Sequence, residues 1–201
     1  MTDQAIAAHT RPRPPLAAAV LQLLTAVPFL LSIVVVWVYG TGAQAAAEAE
    51  LVRQGVPAAV LAEHGISFGA NTAEIPIPAA IIAVLVAFAL LNFAGKRAGR
   101  ILSWLFHPVL AVAGILIVPA QLFTASYLQA SFRDDPVLAR IDVPALVTAA
   151  QHAMPAWLPA VDWAKLLLTT LGSVAVIVLL ALRRTGRSGQ DGVNEPLGRR
   201  Q

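Results

Sequence analysis

Four long apolar stretches divide the chain. They run over residues 16–39, 78–94, 101–127 and 164–182, and none carries an Asp, Glu, Lys or Arg in its middle. The hydrocarbon core of a bilayer is about 30 Å thick and needs about 20 residues of helix to span it. A helix satisfies its own backbone hydrogen bonds in lipid, where no solvent partner exists. The pattern therefore predicts an all-α membrane protein with a bundle of four transmembrane helices.

The basic and acidic residues lie in different connections. Ten of the 14 Lys and Arg residues lie in the two tails and at 95–100, whereas eight of the 11 Asp and Glu residues lie at 40–77 and 128–163. Because Lys and Arg are enriched in cytoplasmic segments, we expect both termini in the cytoplasm and both long loops outside. The 12 Arg against two Lys, together with abundant Ala, favour the plasma membrane of a bacterium. We expect residues 1–15 and 185–201 to be cytoplasmic tails, the second disordered.

The composition excludes several classes of protein. The chain is 58% hydrophobic and 12% charged, about half the charged share of a typical soluble domain. The absence of cysteine excludes disulfides, thiol nucleophiles and Cys-ligated metal centres. A nucleic-acid partner would require a basic face with interleaved aromatic residues, and the sequence has none. The bilayer itself, through anionic headgroups, accounts for the basic excess.

A cleaved signal peptide is an alternative for the first span. Arg11 and Arg13 precede the apolar run, and the small residues of Ala43-Gln44-Ala45 follow it. The run covers residues 16–39, which is longer than the roughly 7–15 residues of a signal-peptide core. We therefore expect a retained helix.

The two halves of the chain resemble each other. Residues 51–60 (LVRQGVPAAV) and 138–147 (LARIDVPALV) are identical at six of ten positions, at an offset of 87. The same offset places the first span within the third and the second within the fourth. This predicts two tandem helix–outer loop–helix repeats, 16–97 and 98–184, related by a pseudo-twofold axis along the membrane normal. Convergent Ala-, Val- and Pro-rich composition is the alternative explanation.

Each outer loop carries signals for short cap helices. In the first loop Gly55 ends a run of helix-forming residues, and Pro57 and Gly65 bracket a second helix. In the second loop Asp135 precedes a proline and is suited to capping a helix, while Asp142 and Pro144 begin another. We expect these helices to lie on the bundle or on the lipid surface.

Polar side chains within the spans form the first candidate site. They either bond across helices or line a polar path at the interface between the repeats. His107 is the titratable side chain nearest the interior of a span, and such groups are functional candidates. The candidates are Gln22, Asn92, His107, Gln121 and Thr169.

Polar residues of the outer loops form the second candidate site, a surface for a partner. Its members are Arg53, His64, Arg140 and His152. The two histidines occupy nearly corresponding places in the repeats and either face each other, as ligands or proton sensors, or decorate the surface. Asp134 and Asp135 fit a metal pair less well than a helix cap, so no metal site is assigned.

Two functional classes follow from these features. We expect first a non-catalytic accessory or scaffold protein that engages a membrane-protein partner, or a second copy of itself, through its outer loops. The alternative is a small transporter or channel subunit, which requires the polar side chains of the spans to converge at the repeat axis. An integral-membrane enzyme is third, because the chain carries none of the common catalytic or cofactor-binding motifs. No cofactor is expected.

Overall fold

The structure, a computed structural model, describes residues 16–69 and 75–188, with side chains described as far as Leu182. Within these residues the chain is helical and contains no strand. Four helical units are long and apolar enough to cross a membrane. The predicted all-α fold with four such helices is confirmed. The predicted tail at 1–15 and residues 189–201 of the second predicted tail lie outside the described residues.

The first and fourth spans extend beyond the limits predicted from hydropathy, whereas the third ends earlier, at Leu122. The helices are α1 (Leu16–Arg53), α2 (Ala59–Glu63), α3 (Pro76–Phe93), α4 (Arg97–Leu122), α5 (Thr124–Phe132), α6 (Val143–His152), α7 (Leu158–Leu167) and α8 (Ser173–Ser188). A 3₁₀ turn at Leu138–Arg140 precedes α6, and a π-helical segment at Leu168–Gly172 joins α7 to α8. The fourth span is therefore the continuous unit Leu158–Leu182.

The four spans form a closed ring. The α3 helix packs against α1 and α4, and the α7–α8 unit packs against α4 and α1. The ring order is thus α1, α3, α4, α7–α8. We call the end that carries residues 40–69 and 123–157 the loop end, and the other the terminus end. Large apolar side chains such as Leu105 and Leu116 remain mostly exposed on the outside, as expected of a surface that faces lipid.

The loop end is closed by an apolar cluster shared by the two long connections. The α1 helix extends to Arg53 and ends before Gly55, whose φ of +78° suits glycine. Asp142 caps α6 by accepting a hydrogen bond from the Ala145 backbone N–H at 3.1 Å. The cluster's largest fully buried side chains are Leu51, Leu61, Val143 and Leu146. The two connections therefore pack against each other.

The third span ends at a bend. The α4 helix contains Pro119, which has no N–H to donate to the preceding turn. Phe123 leaves helical geometry, although its backbone N–H still donates to Pro119 O at 2.8 Å, and α5 begins at the next residue. The predicted span 101–127 is thus divided between α4 and α5.

Two glycines permit close helix contacts, which gives a matched test. A Cβ on Gly114 would lie 2.8 Å from Thr169 Cβ, and one on Gly99 would lie 2.7 Å from Leu91 Cβ, whereas one on Gly42 would meet nothing within 4 Å.

We expect Gly114→Ala and Gly99→Ala to cost about 1–3 kcal/mol of stability through overpacking. Gly42 also lies in a spanning helix, α1, and Gly42→Ala should leave stability unchanged or raise it by up to about 1 kcal/mol.

Thermal unfolding in one detergent measures all three variants. Equal midpoints for Gly114→Ala and Gly42→Ala would show that α4 and the fourth span do not approach this closely.

Candidate functional site in the centre of the bundle

Each of the four spans contributes to a buried polar cluster near the terminus end, which we call the polar plug. Its members are Gln22 of α1, Asn92 of α3, Ser103 and His107 of α4, and Ser173 of α8. None is more than 1% exposed. Because buried polar groups are costly unless they are hydrogen-bonded, their mutual contacts fix how the spans meet.

The hydrogen bonds of the polar plug have a definite direction. The Gln22 amide donates one N–H to Ser103 Oγ at 2.8 Å and the other to His107 Nε2 at 3.1 Å. The Asn92 amide donates to Gln22 Oε1 at 3.0 Å and to Ser103 Oγ at 3.2 Å. Ser103 donates to Gly99 O at 2.7 Å. Since His107 Nε2 accepts, its ring is neutral and carries its proton on Nδ1, 3.5 Å from Ser173 Oγ.

A central cavity of about 370 Å³ lies on the loop side of the polar plug. All four spans line it, and most of the lining is apolar, including Phe29, Ile81 and Leu110. Its volume falls in the range of small-molecule sites, which combine an apolar wall with a few polar groups. The ring is thus filled by polar side chains at one end and hollow nearer the other.

Lys165 is the cation of this cavity, and its side chain is only 4% exposed. The Lys165 ammonium donates to Asp162 Oδ1 at 2.9 Å and to Gln121 Oε1 at 2.8 Å. It also lies 6.0 Å from the centre of the Phe29 ring, within the range of a cation–π contact. Thr169 donates its hydroxyl proton to the Lys165 carbonyl at 2.8 Å.

The sequence candidates within the spans fall into two groups. Gln22, Asn92 and His107 meet in the polar plug, whereas Gln121 and Thr169 line the cavity. Sequence reasoning missed Ser103 and Lys165. A signal existed for each: Ser103 stands four residues before His107, and Lys165 three residues after Asp162, the spacings at which helical side chains are neighbours.

The loop candidates are dispersed. Arg53 pairs with Glu50 on its own helix, with 2.7 Å between Arg53 Nε and Glu50 Oε2. Arg140 and His152 are exposed. His64 makes a contact between the loops, because its Nε2 lies 3.1 Å from Asp135 Oδ2.

Asp135 and its surroundings also bear on the metal alternative. The Asp135 carboxylate accepts from the backbone N–H groups of Val137 and Leu138 at 2.8 and 3.2 Å, as a capping residue does. Over residues 16–69 and 75–188, no three His, Asp or Glu side chains are grouped so that they could hold a metal ion.

The protonation of His64 follows from its two partners. His64 Nδ1 lies 2.9 Å from Val60 O, and a carbonyl and a carboxylate can only accept, so the imidazolium alone makes both bonds. The bond to Val60, followed by the contact with Asp135, raises the pKa of His64 above its usual 6.5. The backbone bonds from Leu138 and Val137, and then His64, lower the pKa of Asp135 below its usual 3.8.

Comparison with protein-family models, with curated proteins and with solved structures finds no match for this chain.

The His64–Asp135 contact makes the loop end sensitive to pH. The stabilisation from His64 is present in full below its usual pKa and is lost as pH rises through its raised pKa. The stabilisation from Asp135 is present in full above its usual pKa and is lost as pH falls through its lowered pKa. We therefore expect the contact to be strongest between about pH 4 and about pH 6.5.

Nuclear magnetic resonance titration of the His64 ring tests this directly. We expect a pKa above 6.5 that falls in Asp135→Asn, because the variant removes the negative partner. A pKa at or below 6.5, or one that Asp135→Asn leaves unchanged, would contradict the contact.

Proposed function

We propose that this chain is a small transporter or channel subunit that takes a solute into its central cavity. The observation that supports it is a cavity lined by all four spans and backed by a polar plug to which every span contributes. A groove between two helices would serve packing or lipid contact. A cavity on the axis of the bundle serves a molecule that enters the protein.

The polar plug supplies a closed end that can open. Its side chains pack against one another from all four spans, so a solute held in the cavity needs the plug to part before it can leave by the terminus end. Hydrogen bonds between membrane helices are worth about 0.6 kcal/mol each on average. Parting a few of them costs an amount that a conformational change between two states can supply.

We further propose that the loop end faces outward from the plasma membrane of a bacterium, with both termini in the cytoplasm. The support is the distribution of charge: Lys96, Arg97 and Arg100 lie at the terminus end, with the acidic residues concentrated at the loop end. Positive residues near short cytoplasmic connections set the orientation of membrane proteins.

The duplication remains part of the proposal. In two pairs of positions separated by 87 residues, both members are buried: Leu51 with Leu138, and Ala89 with Val176. The polar plug departs from this symmetry, because apolar residues, a valine at 109 and a leucine at 179, stand at the positions equivalent to Gln22 and Asn92. In this proposal the duplicated hairpins supply the ring, and single substitutions supply its chemistry.

A scaffold function is the second candidate. Arg140, His152 and Trp157 are exposed near the loop end, where a partner in the membrane or the envelope would reach them. The two long loops bury their apolar faces against each other, so such a partner would bind polar and aromatic groups.

Transport can be tested by filling the cavity. Ala113 lines the cavity, whereas its neighbour Val112 is 57% exposed on the outside of α4. We expect at least one compound of a mixture of metabolites and lipophiles to accumulate in proteoliposomes of the wild type and of Val112→Phe. Ala113→Phe should reduce that uptake about tenfold or more, because a phenyl group occupies the space of the solute.

Mass spectrometry of the vesicle contents measures the uptake. Empty liposomes supply the background, and equal uptake by Ala113→Phe and Val112→Phe would exclude the cavity as the route.

Orientation can be tested with single cysteines, because the chain contains none. Ala139 and Ala98 are both exposed, the first near the loop end and the second in the first turn of α4. A membrane-impermeant maleimide added to intact cells should label Ala139→Cys and label Ala98→Cys only after lysis. The reverse pattern would invert the proposed orientation.

A further inference from the structure

Lys165 supplies the charged hydrogen-bond donor of the cavity. Among the described residues, the Lys165 ammonium has two hydrogen-bond acceptors, Asp162 and Gln121, and an ammonium has three N–H groups. The hydroxyl protons of Ser32 and Thr169 are already donated to backbone carbonyls. Their oxygens accept no hydrogen bond from Lys165, so its third N–H has no acceptor among the described residues, and a ligand in the cavity can supply one.

The charge around Lys165 selects against an anion. Asp162 already balances the ammonium, and Lys165 itself lies among the mostly apolar side chains that line the cavity. An anionic ligand would leave one buried charge without a counterion, which is costly in a medium of low dielectric constant. A neutral acceptor adds a hydrogen bond and leaves the net charge at zero.

The mouth of the cavity favours an apolar molecule. Trp37, Ile77 and Ile117 line the cavity and are 70%, 66% and 56% exposed. They belong to spans whose outer surfaces face lipid. A ligand that enters between them therefore passes over apolar side chains, and an apolar chain or ring can remain among Phe29 and Leu110 inside.

We infer that the cavity binds a neutral lipophile whose polar head is a carbonyl group, with the carbonyl oxygen accepting the third N–H of Lys165. Two sources share this chemistry: an alkylated quinone and a fatty-acid ester. The inference rests on the proposed function, since it names the class of solute that the transporter carries.

Native mass spectrometry of the purified full-length protein, released from detergent, tests it with four probes that share a decyl chain. Decyl-benzoquinone and methyl decanoate carry a carbonyl head, decanoate carries an anionic carboxylate, and decane carries no head. We expect one or both carbonyl probes to bind at least about tenfold more tightly than decane and decanoate, the factor that one charge-assisted hydrogen bond supplies. Binding of the quinone alone identifies the first source, and binding of the ester alone the second.

Two pairs of variants locate the site. The double variant Asp162→Asn with Lys165→Met removes both charges together, so that neither is left buried alone, and should abolish the preference for a carbonyl head. Ala113→Phe should weaken every bound probe about tenfold, and Val112→Phe should leave binding unchanged. If circular dichroism shows that the double variant fails to fold, the inference is tested by the head-group series in the wild type. The Ala113→Phe and Val112→Phe pair then locates the site.

The contrary outcomes are specific. Tightest binding of decanoate, equal binding of decane and the ester, or no binding of any probe would overturn the inference. Uptake of a hydrophilic solute that Ala113→Phe blocks, without binding of the carbonyl probes, would keep the transport function and reject this solute class. Carbonyl binding at Lys165 without uptake of any compound would keep the site and reject transport.

Discussion

The bundle depends on the need of polar side chains in an apolar medium to find partners within the protein. A helix satisfies its own backbone in lipid, but the side-chain amides of Gln22 and Asn92 gain partners only when α1, α3 and α4 meet. The hydrophobic effect that compacts soluble proteins gives little preference for helix–helix contact over lipid contact. Directional hydrogen bonds and close contacts at Gly99 and Gly114 therefore set the arrangement of the ring.

This arrangement divides the interior into two unlike halves. Near the terminus end, five small and medium-sized polar side chains fill the space and leave no side chain of the plug exposed. Nearer the loop end, apolar side chains and one ammonium surround a cavity. The Lys165–Asp162 pair lies in the cavity half, so the charged chemistry and the available volume coincide. That coincidence connects the fold to the proposed function.

Much of the fold could be predicted from the sequence, because its causes are local. Hydropathy locates the spans, and Gly55 and Asp142 mark the end of α1 and the start of α6. Hydropathy underestimates the length of α1, because the end of an apolar run is not the end of a helix. Residues 43–50 are Ala, Gln and Glu, yet they continue the helix because these residue types favour it and because Ala43 and Ala47 pack at the loop end.

The site was predicted only in part, because its causes are not local. Gln22, Asn92 and His107 could be singled out as polar residues in apolar helices, but their meeting depends on the ring order of the spans. Lys165 stands near the start of its apolar run, where a lysine can extend its ammonium to the interface. The structure instead turns it inward, toward Asp162 and Gln121. The His64–Asp135 contact joins residues 71 positions apart, and no local pattern encodes it.

The division of the interior can be measured with one pair of isosteric substitutions. Ser32 lines the cavity and Ser103 belongs to the polar plug, so Ser32→Cys and Ser103→Cys introduce the same thiol at the two levels of a chain that has no other cysteine. We expect a small neutral maleimide to modify Ser32→Cys at least about tenfold faster than Ser103→Cys, since only the first thiol is accessible. Equal rates, or faster modification of Ser103→Cys, would contradict a hollow half closed by a packed polar plug.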